Sequence, residues 1–114
     1  AKNDKVYRAI VTFSKILNSR ELEKLSTLKN VKVSQKTPIR VLHRRADLLR
    51  ERVVKNVEYR LLGKKRLELI IECDAGTYVK EFIHGDSGRT KPSIAEILQN
   101  PVRKIVLDVI GIRK

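Results

Sequence analysis

Alternation of apolar and polar residues at a spacing of two dominates this chain and marks out strands. Val6 to Phe13 is rich in β-branched and aromatic residues and reads as a strand. Asn18, with Glu21 three residues on, matches a capping box; Leu22, Leu25 and Leu28 follow at helical spacing, which predicts a short helix over about residues 19–29. Val31 and Val33 alternate with Lys32 and Ser34, so a second strand follows, and Pro38 interrupts it. Val57, Tyr59 and Leu61 alternate with Glu58 and Arg60; Gly63-Lys64-Lys65 is a turn signal; Leu67, Leu69 and Ile71 then alternate with Glu68 and Glu72, with Ile70 breaking the pattern. This is a β-hairpin over roughly residues 52–73 with one buried face. Gly76 ends its second strand. A short helix over residues 78–84 and another after Pro92-Ser93, with Ile94, Ile97 and Leu98 as its apolar face, precede a closing strand over residues 102–110. The order predicts an α+β fold: a largely antiparallel mixed sheet with two or three short helices. No linker, repeat or low-complexity tract divides the chain, so residues 1–114 read as a single domain.

Charge changes the picture. The chain has 26 Lys+Arg against 13 Asp+Glu, a net charge of +13. Between residues 36 and 66, eleven cations face three acids, and arginine outnumbers lysine seven to four. Solubility does not require such an excess, and self-repulsion opposes it. Arginine's planar fork suits phosphate and stacks on bases, so a phosphate-contacting surface for RNA is the expected use. No stretch reaches the roughly 20 apolar residues of a spanning helix, and no signal pattern precedes the first strand, so no membrane and a cytoplasmic location are expected. One cysteine, Cys73, excludes an internal disulfide and Cys-x-x-Cys zinc. With only His43 and His84 as histidines, no metal centre is expected. The chain has no methionine and reads as a piece of a longer protein; its Lys, Arg and Glu content leans towards a thermophilic source.

The densest chemistry lies in Ala75-Gly76-Thr77-Tyr78-Val79-Lys80-Glu81-Phe82-Ile83-His84-Gly85-Asp86. Gly76 permits a sharp turn after a strand. Tyr78 offers a ring on which a base can stack. If the backbone stays extended, Lys80 shares its face, and an ammonium there holds a neighbouring carboxylate ionised. Cys73 reads as a small buried hydrophobe, His84 as a hydrogen-bonded structural residue, and Asp86, between two glycines, as a turn former. Asp47, Asp74, Asp86 and Asp108 are candidate carboxylates that spacing alone does not rank.

Gln35-Lys36-Thr37-Pro38-Ile39-Arg40-Val41-Leu42-His43-Arg44-Arg45, then Ala75 to Phe82, His84-Gly85-Asp86 and Gly88-Arg89-Thr90-Lys91-Pro92 resemble the C-terminal part of the archaeal and eukaryotic tRNA pseudouridine synthases that act on T-loop uridines. The element Gly76-Thr77-Tyr78-Val79-Lys80 also resembles the bacterial T-loop synthases. The resemblance implies part of a pseudouridine synthase catalytic fold. It implies a cofactor-free isomerisation, in which the bond from uracil N1 to ribose is exchanged for one from C5 after the uridine leaves its stack. It implies Tyr78 packed on the uracil, Lys80 paired with a catalytic aspartate, and Gly76 and Thr77 shaping the turn beneath. It also implies Arg44, Arg45, Arg89 and Lys91 against tRNA. That family's aspartate lies in a Gly-Arg-x-Asp element, and none occurs in these 114 residues. The expected partners are therefore tRNA and the N-terminal half of the same enzyme, with this portion inactive alone. The competing expectation is a stand-alone basic RNA-binding module in which Tyr78 and Lys80 matter no more than other surface residues.

Overall fold

A computed structural model describes residues 4–113. Six strands form one sheet: β1 (Asp4–Phe13), β2 (Val31–Lys36), β3 (Leu49–Leu61), β4 (Arg66–Cys73), β5 (Thr90–Lys91) and β6 (Val102–Arg113), in the order β5-β2-β3-β4-β1-β6. Every pairing among them is antiparallel, so the mixed component expected from the sequence is not seen. Three short helices lie on one face: α1 (Ser19–Leu22), α2 (Val79–His84) and α3 (Ile94–Leu98). The helix expected over residues 19–29 holds α-geometry for one turn and then tightens to a 3-10 helix over Glu23–Thr27. Asn18 caps it, its Oδ1 accepting from Arg20 N at 2.8 Å.

The alternation sorts the two faces. Leu67, Leu69, Ile71 and Cys73 of β4 are fully buried beneath the helices, beside Ala9, Val11 and Phe13 of β1. Leu22, Leu25, Val79, Phe82, Ile83 and Ile94 close the core from above. The opposite face is mixed, with Ile10, Ile70 and Val106 among charged residues. There Arg8 and Arg60 both bond Glu68, at 2.6 and 3.0 Å, stitching β1, β4 and β3 together. The bonds from Arg60 and then Arg8 hold the Glu68 carboxyl below the usual range.

Strand β3 carries a register shift between Val54 and Asn56. The extra residue lets Val54 and Val57, three apart, face the same core. It also leaves Arg50 and Arg52 on the helix-covered face, opposite Gln35 and Val33 of β2. The single buried face expected for the hairpin ends early: Tyr59 and Leu61 overhang the helix layer at 36% and 51% exposure.

Cys73 packs as expected, and burial pushes its thiol up to about 11. Two outcomes test this core. Phe82→Ala should cost about 3–5 kcal/mol in urea unfolding, because a fully buried ring leaves a cavity; a loss below about 1.5 kcal/mol contradicts its central place. A thiol that stays protonated well above neutrality is a poor nucleophile. Alkylation of Cys73 at pH 8 should therefore follow global unfolding and accelerate steeply with denaturant.

Candidate active site

The site grows from the end of β4. Asp74 leaves the strand with its backbone still paired: its N–H donates to Val53 O at 3.0 Å, and its Oδ2 accepts from Val53 N at 2.8 Å. Thr77 Oγ1 donates back to Asp74 O at 2.8 Å. Between them Gly76 sits at φ +88, a conformation open to glycine and strained for other residues. Both Asp74 and Thr77 thus build the turn.

Tyr78 follows, held by a side chain the sequence did not flag. Gln35 of β2 is buried, and its amide pairs with the Tyr78 peptide on both sides: Tyr78 N donates to Gln35 Oε1 at 3.0 Å, and Gln35 Nε2 donates to Tyr78 O at 2.9 Å. The pairing imitates one rung of a β-ladder. The available signal was a polar residue at position 35 on the same strand face as Val31 and Val33. Tyr78 keeps extended backbone geometry, but α2 begins at Val79, so extension does not reach Lys80 as one sequence reading assumed. Lys80 lies in the first turn, exposed, and makes no ion pair among the described residues. Tyr78 is half-buried, with the Arg40 guanidinium 5.9 Å from its ring centroid. Both side chains are reachable from outside.

Behind them lies a buried carboxylate. Glu81 is 1% exposed and accepts from Arg40 Nε at 2.9 Å and Nη2 at 3.5 Å. The bond to Glu81 pushes the Arg40 guanidinium pKa further up. Glu81, His84 and Asp86 have ligand atoms within 4.8 Å of one another. All three are already engaged: His84 Nδ1 accepts from Asp86 N at 2.9 Å, Asp86 Oδ2 accepts from Ile39 N at 3.1 Å, and Glu81 holds Arg40. The cluster is a hydrogen-bonded brace, as expected for His84, and Asp86 takes the predicted turn at φ 50.

That brace fixes the basic loop between β2 and β3. Thr37 and Leu48 close its ends: Thr37 N donates to Leu48 O at 2.9 Å, and Leu48 N donates to Thr37 Oγ1 at 3.0 Å. His43, Arg44 and Arg45 project from its tip, exposed. Of the other two expected RNA contacts, Lys91 is exposed on β5. Arg89 is largely covered and spends its guanidinium inward, on Thr37 O at 2.9 Å, on Asp47, and near Asp86. An open groove of about 460 Å³, lined by Lys15, His84, Lys91, Ser93 and Asn100 among others, lies between α2 and α3 and does not include Tyr78 or Lys80.

The chain has recognisable relatives. The family model described as "Pus10, C-terminal" matches residues 1–113. The tRNA pseudouridine synthase Pus10 of Thermofilum pendens is 47% identical over 111 residues, covering 96% of this chain and 25% of that protein. The Methanosphaera stadtmanae protein of the same name is 44% identical, covering 95% of this chain and 26% of its own length. The human one is 40% identical, covering 92% and 20%. The chain thus spans about a fifth to a quarter of the length of these relatives. Among solved structures, a chain from a crystal structure of a Cbf5-Nop10-Gar1 complex superposes with a TM-score of 0.63 at 17% identity over 93% of this chain and 30% of that one, a likeness of fold. With nearly every residue matched by that family model, the chain belongs to the Pus10 C-terminal family.

Proposed function

We propose that this chain is one wall of the uridine pocket of a tRNA pseudouridine synthase, and that the reactive aspartate comes from the rest of the enzyme. The observation that carries this reading is the Tyr78–Lys80 segment on the Gln35-held turn, in a chain whose family relatives bear the name tRNA pseudouridine synthase. Residues 1–114 form a single domain, the C-terminal portion of the catalytic domain. The reaction is an isomerisation without metal or organic cofactor. It takes place in the cytoplasm, and the archaeal relatives fit an archaeal source.

Each residue then has a physical task. The uracil, once out of its stack, packs on the Tyr78 ring, whose other face is shadowed by Arg40. Lys80 has no acid of its own among the described residues. An aspartate brought beside it is held ionised at neutral pH, ready to act at the ribose. Gly76 and Thr77 fix the turn that presents both. Arg44 and Arg45, on a loop closed before RNA arrives, contact phosphates with little ordering cost, and Lys91 adds to that surface. Arg89 contributes by holding that loop, with any RNA contact secondary to its bonds to Thr37 and Asp47.

Two measurements test this. In the full-length enzyme, Lys80→Ala should lower kcat for pseudouridine formation by about 10²-fold or more while leaving the tRNA Kd within about threefold. An unchanged kcat removes Lys80 from the chemistry and favours the binding-module reading. Gln35→Ala should leave the Tyr78 peptide unpaired, lowering unfolding free energy by about 1–3 kcal/mol and reducing kcat more than RNA affinity. Equal loss of both would mean that Gln35 only supports the fold.

A further inference from the structure

The two edges of the sheet are built differently. At one edge β5 is two residues long, carries Lys91 and is followed at once by Pro92. A short strand, a lysine and a proline are devices that stop another chain from pairing there. The stretch of β2 that β5 leaves bare, Val31–Val33, has Lys32 at its centre. At the other edge β6 runs for 12 residues and pairs only with β1 among the described residues. Its middle, Ile105-Val106-Leu107-Asp108-Val109-Ile110, holds a single charge and no proline. Such a nearly unbroken apolar run belongs to a strand covered on both faces, not to one at an edge. The side chains agree. Ile105 and Leu107 carry the core outward from Val11 and Ala9, which are fully buried, but are themselves only half-buried. Val106, beside Ile10 on the opposite face, is 47% exposed, and Val109 and Ile110 are 59% and 52% exposed. The core therefore ends in the open along β6, on both sides of the sheet.

A long apolar edge takes a strand. Backbone N–H and C=O groups complete the ladder, and the incoming side chains close over both faces. Two strands are available in principle, one from a second copy and one from the rest of the same polypeptide. Two copies, each at +13, repel one another. The chain spans only about a fifth to a quarter of its relatives' length, so most of their polypeptide lies outside the matched part. Position favours the same choice. Lys5 of β1 stands opposite both Cys73 of β4 and Ile112 of β6. The end of β6 is thus level with the end of β4, where the turn to Tyr78 and Lys80 departs. A strand outside β6 would lie three strand spacings, about 14 Å, from β4. A loop of about five residues leaving that strand crosses the gap. We propose that β6 is an interior strand of the whole enzyme, its bare edge paired with a strand from the polypeptide outside residues 1–114. The proposal rests on the uridine-pocket reading and deepens it: it names the edge at which the aspartate-bearing part joins this one.

The test follows amide hydrogen exchange along β6 in the full-length enzyme without RNA, resolved residue by residue by mass spectrometry. In an edge strand every second amide faces water; in an interior strand all are bonded. Slow exchange is expected at every amide from Ile105 to Val109. Fast and slow amides in alternation overturn the proposal. Light scattering across a dilution series accompanies the exchange. Protection that persists in a monomer assigns the partner strand to the same chain. Protection that disappears as a dimer dissociates overturns the proposal and gives the edge to a second copy. Lysine is tolerated on an open edge and costly inside a sheet. Val109→Lys in the full-length enzyme should therefore lower the melting temperature by about 5 °C or more. An unchanged melting temperature overturns the proposal as well. None of these readings depends on turnover. If Lys80→Ala leaves kcat unchanged, the pocket reading falls, and the pairing of β6 is still decided by its own exchange.

Discussion

The site depends on one buried amide. Gln35 occupies a strand position where alternation calls for a hydrophobic residue, and its amide bonds both sides of the Tyr78 peptide and Thr90 Oγ1. A turn that has just left a sheet is normally the least constrained part of a domain. Here it is re-paired to the sheet two strands away from the one it left, because β2 and β4 flank β3. Tyr78 is therefore placed with strand-like precision although it sits in a loop, and the helix that starts at Val79 inherits that placement. The arrangement suits a residue that must meet a base at a set height and tilt.

A second buried group extends the same logic to the basic loop. Glu81 faces inward on α2, where a carboxylate is expensive unless paired. Arg40 satisfies it from the loop side, and the same guanidinium leans over Tyr78. Ile39 N to Asp86 and Arg89 to Thr37 O add further ties. The exposed arginines at the loop tip are thereby coupled to the aromatic ring through one chain of contacts. A change at Glu81 should be felt at both ends, which makes Glu81 a positioning residue rather than a chemical one. The open groove beside Lys15 and Lys91 shares His84 and Thr90 with this network but does not reach Tyr78 or Lys80. In the reading proposed above, Tyr78 and Lys80 belong to a pocket with its other wall on different polypeptide, and half a pocket encloses little volume.

Much of the fold was legible because one sheet face is buried and the other is wet. Under that condition period-two alternation identifies β1, β4 and the start of β6 directly, and the Ser93 cap marks α3, with Ser93 Oγ accepting from Glu96 N. Legibility failed where the period breaks for local reasons. The bulge at Lys55 moves β3 out of phase, so Arg50 and Arg52, legible in the sequence only as part of a basic phosphate-contacting run, lie on the helix-covered face. The helix after Asn18 was expected to keep α-geometry further than it does; it passes into a 3-10 helix over Glu23–Thr27 that still buries Leu25. At the site, Tyr78 and Lys80 were visible as residue types. The groups that position them were not. Gln35, Glu81 and Arg40 act across 41 to 43 residues of sequence, and no local pattern reports such distances.

Gly76 carries a constraint of a different kind. At φ +88 any side chain is strained, whatever the space around it. Space is not what excludes one: a Cβ would stand 3.5 Å from Arg52 Nε and Nη2, an ordinary contact. The turn itself therefore selects glycine, and that turn sets where α2 begins and with it the positions of Tyr78 and Lys80.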